Sequence, residues 1–363
     1  MKTRVFRLEA NASWHEALRV AATALRNGEL VAFPTETVYG LGGHALDELA
    51  VRRIFAAKGR PADNPLIVHV PSVEALRPLV ATIPPQLPLL ARCFWPGPLT
   101  LVLPRSSIVP DVTTGGLDSV AIRLPNHPVA LALLQRVRVP LAAPSANRSG
   151  RPSPTQASHV LDDLAGHVAV VLDGGSARVG VESTVLDLTG ELPTILRPGG
   201  ITREQLAAVL GEVVVDSRAR ALPNGDIEAS EPVRSPGMKY QHYAPQAPAT
   251  LVEGEPPGVW QGLCDLLQMQ GAKRYGLLVS REGEEWLRQC ELPPGAVILC
   301  LGSRNHPEEF AQHLFSALRT MDEKQVEAIF IEGISEEGLG LAVMNRLRRA
   351  AGGRIVAADR VGR

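Results

Sequence analysis

The chain has 363 residues, of which 45% are hydrophobic and 21% are charged, so it can bury a substantial core and exceeds one typical domain. Its 37 basic and 38 acidic side chains nearly cancel, which argues against a tight, sequence-independent binder of RNA or anionic membranes. The four cysteines lack disulfide or zinc-site spacing, and the chain carries no N-terminal apolar signal segment, so we expect a soluble, cytoplasmic protein.

The first predicted element is an amphipathic helix at 13–27, with Ser13 as its N-cap. Short runs rich in β-branched residues then predict strands at 30–33, 65–70, 99–103, 120–124, 168–173, 183–188 and 194–197. Helical patterns separate several of these runs, whereas short turns join the last three. We therefore predict that residues 1–215 form an α/β domain, a mixed sheet with flanking helices.

A segment without sustained periodicity, residues 216–247, is rich in Pro, Ser, Gly and charge and predicts a linker. After it, four apolar runs alternate with helical patterns, which predicts a small parallel α/β domain at 248–363. One of these helices carries Arg346, Arg348 and Arg349. We interpret the three arginines as a solvated helix face, or as a contact for a partner or tRNA.

Polar loops follow several predicted strands of the first domain. The loop PTETVYGLG (34–42) could donate hydroxyl and N–H groups to a ligand, or could be a plain turn in which Gly40 and Gly42 supply positive φ. Lys58 and Arg60, one residue apart, could flank a polyphosphate, although no Walker A pattern is present. A solvated basic turn is the commoner meaning of an isolated K-x-R pair.

Three further strand ends carry polar residues. Arg123 stands within an apolar strand and needs either an acidic structural partner or an anionic ligand. His69 ends another apolar strand, where histidine is more often a hydrogen-bonded core residue than a ligand. Ser145 has no Gly-x-Ser-x-Gly elbow and no His–Asp relay, so we exclude a nucleophilic serine. The loop 141–150 contacts a ligand or caps the next helix.

The remaining polar strand ends, 180–184 and 197–200, would each be ordinary turns if taken singly. Their significance lies in recurrence, because hydroxyls, amides and cations gather beside short strands. A site for an amino acid plus a nucleotide requires such groups. No set of His, Cys or acidic residues at metal-ligand spacing competes with this interpretation.

In combination these motifs resemble the YrdC-like threonylcarbamoyl-AMP synthases in their longer two-domain form. The resemblance spans about residues 10–212, through PTETVYGLG, KGRPADNPLIVHV, FWPGPLTLVL, AIRLPNHP, APSANRSGRPSPT, GVESTVLDL and ILRPGGIT, and continues through SPGMKYQHYAP (235–245) into the tail. It implies a twisted mixed sheet, the YrdC-like fold, followed by a smaller Rossmann-like parallel α/β domain.

The resemblance also implies the reaction. A nucleotidyltransferase of this family joins L-threonine, bicarbonate or CO2, and ATP into threonylcarbamoyl-AMP and releases pyrophosphate. Mg²⁺ would be carried by the ATP phosphates, without protein metal ligands. A separate tRNA threonylcarbamoyl-transferase complex would use the product, and the chain itself could contact tRNA weakly. The linker could close over the site as a lid.

Site roles follow from the resemblance, motif by motif. The catalytic group around the phosphates and the reacting carbamate would be Lys58, Arg60, Ser145 and Asn147. Arg60 and Asn147 would also bind ATP, together with Asn64, Ser119, Ser153, Arg197 and, from the linker, Tyr243. Threonine would be held by Thr37, His69, Arg123, Ser145 and Ser183, with Arg123 against its α-carboxylate.

Two rival interpretations belong to other classes. A non-catalytic RNA-binding module is disfavoured by the near-neutral charge and by an aromatic content of only 4%. A hydrogenase-maturation carbamoyltransferase shares the first domain, but the sequence lacks the acylphosphatase-like and zinc-finger segments of that family.

Overall fold

The computed structural model describes residues 2–9, 13–219, 242–269, 274–292 and 294–360. Two compact units are present, and we describe each by itself. The first contains the described residues up to 149 and those at 153–219; the second contains 150–152 and the described residues from 242 onward. Most of the linker, 220–241, lies outside the described residues, so its role as a lid and the domain boundaries at 215 and 248 stay predictions.

The first unit is built on a mixed sheet in which the described residues supply 11 strands. In chain order these are β1 Arg4–Arg7, β2 Val31–Phe33, β3 Gly40–His44, β4 Ile67–His69, β5 Leu99–Pro104, β6 Ser119–Arg123, β7 Leu141–Ala142, β8 Val170–Asp173, β9 Thr184–Asp187, β10 Thr194–Arg197 and β11 Val214–Val215. The spatial order is β1-β8-β2-β3-β7-β4-β6-β5-β9-β10-β11. Parallel and antiparallel pairs alternate irregularly, which confirms the predicted mixed sheet.

Helices cover both faces of this sheet. They are α1 His15–Arg26, α2 Glu48–Lys58, α3 Leu87–Phe94, α4 Asp111–Thr114, α5 Pro128–Val137, α6 Ala157–Leu164 and α7 Arg203–Leu210. Val31 and Phe33 of β2 pack with α1 and α5, whereas Ala32 between them faces the core under α2. The alternation of side chains along a strand therefore gives the sheet an apolar core on each side. Helix α1 begins after Trp14, so the prediction of Ser13 as its cap is wrong.

Two features of the strands could not be predicted from the sequence, and the first rules out the plain-turn interpretation of PTETVYGLG. Gly40 and Gly42 do not supply positive φ; they belong to β3, which pairs antiparallel with β2. Gly42 is needed for space, because a Cβ there would lie 2.8 Å from Cε1 of Phe33. The last three predicted strands are not successive neighbours either. Strands β9 and β10 do form an antiparallel pair, but β8 lies between β1 and β2.

The second unit confirms the predicted parallel α/β domain. Its strands are β12 Ala249–Glu253, β13 Tyr275–Val279, β14 Val297–Cys300, β15 Ala328–Glu332 and β16 Ile355–Ala357, and its helices are α8 Gly258–Met269, α9 Arg281–Leu287, α10 Pro307–Glu323 and α11 Gly340–Ala351. All of its strand pairs are parallel, in the order β14-β13-β15-β12-β16. No helix in the described part of the chain is long and apolar enough to span a bilayer.

The arginines of α11 correct another prediction. Arg346 is fully buried and its guanidinium lies 5.6 Å from the ring centroid of Tyr243, and Arg349 is only 4% exposed. Arg348 pairs with Glu253 at 2.7 Å between Nε and Oε1. These side chains are structural members of the second unit, so the interpretation as a solvated face is wrong. A tRNA contact through this cluster has no support.

Candidate functional site

Strand pairing brings the residues predicted to hold threonine together. His69, the last residue of β4, is the register partner of Arg123, the last residue of β6. On the other side of β6, Thr100 of β5 is the register partner of Arg123, and its hydroxyl lies 2.7 Å from Oγ of Ser183 just before β9. Four neighbouring strands thus present one continuous polar group inside the first unit.

Of the two kinds of partner that the sequence left open for Arg123, the structure provides the acidic one, together with neutral acceptors. Its Nη1 donates to Oγ1 of Thr37 at 2.8 Å, and its Nε donates to the carbonyl of Gly97 at 3.3 Å. Its Nη2 lies 2.8 Å from Oε1 of Glu36, and both side chains are at least 95% buried. Glu36 was not among the site residues predicted from the sequence, although it stands beside Thr37 in the loop PTETVYGLG. An acidic side chain within that otherwise uncharged loop was the available signal.

His69 is held neutral by its surroundings. Its ring is buried, its Nδ1 lies 3.3 Å from the carbonyl of Ile67, and Phe33 contacts it edge-on. Burial, and secondarily the positive charge of Arg123, lower the pKa of His69 to about 3. At neutral pH the imidazole therefore acts as an uncharged hydrogen-bonding group.

Lys58 joins helix α2 to the loop that carries Ser145 and Asn147. It is the last residue of α2, which ends where Gly59 adopts φ of 60°. Its buried Nζ donates to the carbonyl of Ser145 and, at 2.6 Å, to that of Asn147. The structure thus places three of the four predicted catalytic residues side by side.

The fourth predicted catalytic residue, Arg60, contacts the backbone of the segment that follows it in the chain. Its Nη2 donates to the carbonyls of Asn64 at 3.3 Å and Pro65 at 3.2 Å, and its guanidinium lies 5.7 Å from the ring of Phe55. Asn64 itself is fully buried, yet within the described residues neither its amide oxygen nor its amide nitrogen has a hydrogen-bond partner. An unpaired buried amide costs about 1–3 kcal/mol, so this position is suited to a ligand that satisfies it.

The other residues predicted to bind ATP do not all lie together. Arg197 donates to the carbonyl of Ser183 at 2.9 Å, so it adjoins a residue predicted to bind threonine. Ser153 donates to Glu182 at 2.5 Å between Oγ and Oε1. Ser119 is the first residue of β6, whereas Arg123 is the last. Ser119 therefore lies at the other end of the strand from the polar cluster around Arg123.

Tyr243 belongs to the second unit, where it is 4% exposed and has φ of 67°. Its ring centroid lies 5.1 Å from that of Phe315. Its proposed contact with the nucleotide stays a prediction. Within the described residues no three His, Cys, Asp or Glu side chains form a group that could hold a metal ion.

Together, a mixed sheet with a buried polar cluster and a separate parallel domain define a two-unit α/β protein with a candidate ligand site in its first unit. The family Sua5/YciO/YrdC, described as telomere recombination, matches residues 23–199. The C-terminal domain of threonylcarbamoyl-AMP synthase matches residues 201–352. The chain belongs to the threonylcarbamoyl-AMP synthase family.

Similar proteins extend over nearly the whole chain. The threonylcarbamoyl-AMP synthase of Pyrococcus abyssi is 49% identical, covering 93% of this chain and 95% of that protein. The one from Bacillus subtilis is 46% identical, covering 93% of each. The crystal structure of Pyrococcus abyssi Sua5 complexed with L-threonine has a TM-score of 0.88 at 46% identity, covering 98% of this chain and 99% of that one.

Proposed function

We propose that this chain makes threonylcarbamoyl-AMP and pyrophosphate from L-threonine, CO2 or bicarbonate, and ATP. Membership in the family supports the reaction, and the relative whose structure contains L-threonine supports the amino acid. The observation in this chain that carries the proposal is the buried polar cluster at adjacent strand ends, around Arg123. The buried amide of Asn64, ahead of β4, is a second polar group suited to a ligand. Such a cluster is stable without a ligand only at a cost, and binding of the substrates offsets it.

In the proposed mechanism, the amine nitrogen of threonine forms a bond to the carbon of CO2 and loses a proton. The resulting carbamate oxygen attacks the α-phosphorus of ATP, and the bond from that phosphorus to pyrophosphate breaks. No covalent bond to the enzyme is required. The protein positions the reactants and neutralises the charge on the phosphoryl oxygens and the leaving group.

Lys58 and Arg60 are the proposed cations. Lys58 donates to the carbonyls of Ser145 and Asn147, so it holds this loop beside α2 and brings a positive charge to the loop. Its compact ammonium suits a phosphate oxygen, and the loop hydroxyl and amide add uncharged donors. We therefore propose that Lys58 both positions the loop and stabilises charge in the transition state.

Mg²⁺ is proposed to enter as part of the MgATP substrate. Oε1 of Glu36 lies 2.8 Å from Nη2 of Arg123, and Glu182 accepts from Ser153, so each of these two acids already faces a donor group of the protein. A magnesium ion bound to phosphate oxygens and water fits this donor set. Delivery of the product to a tRNA threonylcarbamoyl-transferase complex and a cytoplasmic location belong to the same proposal.

The test is pyrophosphate release from MgATP by the purified protein, with and without L-threonine and bicarbonate. Release should require both co-substrates, and Lys58→Ala should lower the rate about 10²-fold or more because a buried donor is lost. Lys324→Ala, at an exposed lysine of the second unit, is the matched control and should keep the wild-type rate. ATP that stays intact with every combination of substrates would refute the proposal.

A further inference from the structure

The buried pair of Glu36 and Arg123 is close but incompletely bonded. Nη2 of Arg123 and Oε1 of Glu36 are 2.8 Å apart, with side chains 5% and 3% exposed, respectively. Despite this short distance the geometry is not that of a hydrogen bond: among the residues that the structure describes, neither Glu36 oxygen accepts one, and Nη2 of Arg123 donates none. The donor group Nη2 of Arg123 and the acceptor oxygens of Glu36 therefore both remain available for hydrogen bonds at the same place.

Such an arrangement is costly unless something completes it. Removing two charges from water is repaid only when good geometry and further hydrogen bonds satisfy their remaining donors and acceptors. Arg123 is well supplied on its other nitrogens, through Thr37 and the carbonyl of Gly97. The carboxylate of Glu36 has no such supply. The missing partner of Glu36 is thus a hydrogen-bond donor, and a cationic donor would best offset its charge.

Neither His127 nor the backbone contact of Glu36, the neighbours that the described part of the chain shows, provides that donor. His127 is the other titratable group whose charge couples to Glu36, but its pKa is lowered, chiefly by burial, and its Nδ1 already accepts from the backbone N–H of Val129. The backbone of Glu36 accepts from Val179 through its carbonyl, which does not involve the carboxylate. A ligand that carries a cationic donor would supply what these groups do not.

An α-amino acid carries an ammonium and a carboxylate on the same carbon, so it matches a neighbouring anion and cation. We propose that Glu36 binds the α-ammonium of the amino-acid substrate while Arg123 takes its α-carboxylate. This inference rests on the proposed function and adds Glu36 to the site as a substrate-binding residue. The Glu36–Arg123 pair then recognises the zwitterionic form of the amino acid.

The test compares two ligands by calorimetry: L-threonine, and 2,3-dihydroxybutyrate of matching stereochemistry, in which a hydroxyl replaces the ammonium. Wild-type protein should bind threonine at least tenfold more tightly than the analogue. In Glu36→Gln, threonine should weaken at least tenfold, about 1.4 kcal/mol. The analogue should bind as well as before or more tightly, because the carboxylate of Glu36 no longer repels its anionic group.

A purely structural role for Glu36 predicts a different pattern, because a misplaced Arg123 would weaken both ligands equally. Equal loss, or no loss for threonine, overturns the inference. Glu48→Gln, the same change at a side chain that is 59% exposed, should leave both affinities unchanged. ATP binding and thermal unfolding check that Glu36→Gln is folded.

If that variant does not fold, the wild-type comparison still decides, since equal affinity for the two ligands overturns the inference. Failure of the proposed function has its own signature, which is wild-type protein that makes no threonylcarbamoyl-AMP from threonine, bicarbonate and MgATP. Wild-type synthesis combined with unselective loss in Glu36→Gln refutes the role of Glu36 alone.

Discussion

Asn64 is fully buried and carries an amide with no hydrogen-bond partner in the described part of the chain. A folded protein gains nothing from such a group, because the amide loses its water and receives no bond in return. A ligand that supplies a donor and an acceptor reverses this balance. A substitution of Asn64 can therefore affect stability and ligand binding in opposite directions.

Asn64→Leu, which replaces the amide by an apolar group of similar shape, should leave the free energy of unfolding unchanged or raise it by about 1 kcal/mol. The same change should raise the KM for ATP at least tenfold. Urea unfolding and pyrophosphate-release kinetics measure the two quantities. Asn126→Leu, at an exposed asparagine, is the control for KM. A clear loss of stability with normal KM would contradict the assignment of Asn64 to ATP binding.

His69 should make stability depend on pH. Its folded pKa of about 3 lies below the ordinary value of 6.5, so between these values the unfolded chain binds the proton more readily. Stability from the neutral imidazole is complete above about pH 6.5 and falls by up to about 1.4 kcal/mol per unit as pH decreases toward 3.

Urea unfolding of wild-type protein and His69→Gln at pH 7, 6, 5 and 4 tests this expectation. The advantage of the wild type over the variant should shrink as the pH falls. His167→Gln, at an exposed histidine, should track the wild type throughout. Parallel curves for wild type and His69→Gln would show that His69 does not stay neutral in the folded state.

Strand β3 depends on glycine for a packing reason. Its residues Gly40–His44 lie between β2 and β7, and the side chain of Phe33 on β2 occupies the space that a Cβ on Gly42 would need. Because β3 directly follows the loop that contains Glu36 and Thr37, its fit against β2 determines where that loop lies. The element thus connects packing with the position of the site.

Gly42→Ala should lower the free energy of unfolding by about 1–3 kcal/mol, as is typical of an overpacked core. Adding Phe33→Leu to this variant should restore part of the loss by opening space. Thermal or urea unfolding provides the measurement. Gly190→Ala is the control, since a Cβ there comes no nearer than 4.0 Å to another heavy atom and should change stability by about 0.5 kcal/mol or less. Equal effects at both glycines would contradict the packing explanation.

Each unit has its own apolar core, and the second unit also has a buried acidic centre. Glu332 is fully buried at the end of β15 and accepts hydrogen bonds from Trp260, from the N–H and hydroxyl of Ser280, and from Arg304 at 2.6 Å. These donors come from α8, from the end of β13 and from the segment after β14. The carboxylate of Glu332 therefore connects these three segments at the carboxyl edge of the parallel sheet.

Glu332→Gln replaces one acceptor oxygen by a donor that faces other donors and leaves Arg304 without its countercharge. We expect a loss of about 3–5 kcal/mol in the second unit. Hydrogen exchange should accelerate in peptides that cover β13 and β15, whereas peptides from β5 and β6 serve as internal reference. Glu327→Gln, at an exposed glutamate, should exchange like the wild type. Unchanged protection in β13 and β15 would show that Glu332 is not a stabilising centre.

The sequence by itself determined the fold class, most strands of the central sheet and the parallel sheet of the second domain. These features depend on local patterns: β-branched runs, helical periodicity and alternating β–α units. It also determined which motifs carry the polar groups, and the structure brings Lys58, Ser145 and Asn147 together. The glycine-rich strand β3 escaped prediction because its five residues, GLGGH, have little intrinsic preference for a strand.

Only the tertiary structure decided which group each buried charge meets. Arg123 and Glu36 are 87 positions apart, and they meet because β6 and the loop after β2 reach the same polar cluster in a sheet with non-sequential strand order. The burial of Arg346 likewise depends on packing around Tyr243, which helical periodicity cannot reveal. A sequence pattern specifies which face of an element is apolar, whereas the partner of a buried polar side chain is fixed by contacts between distant segments.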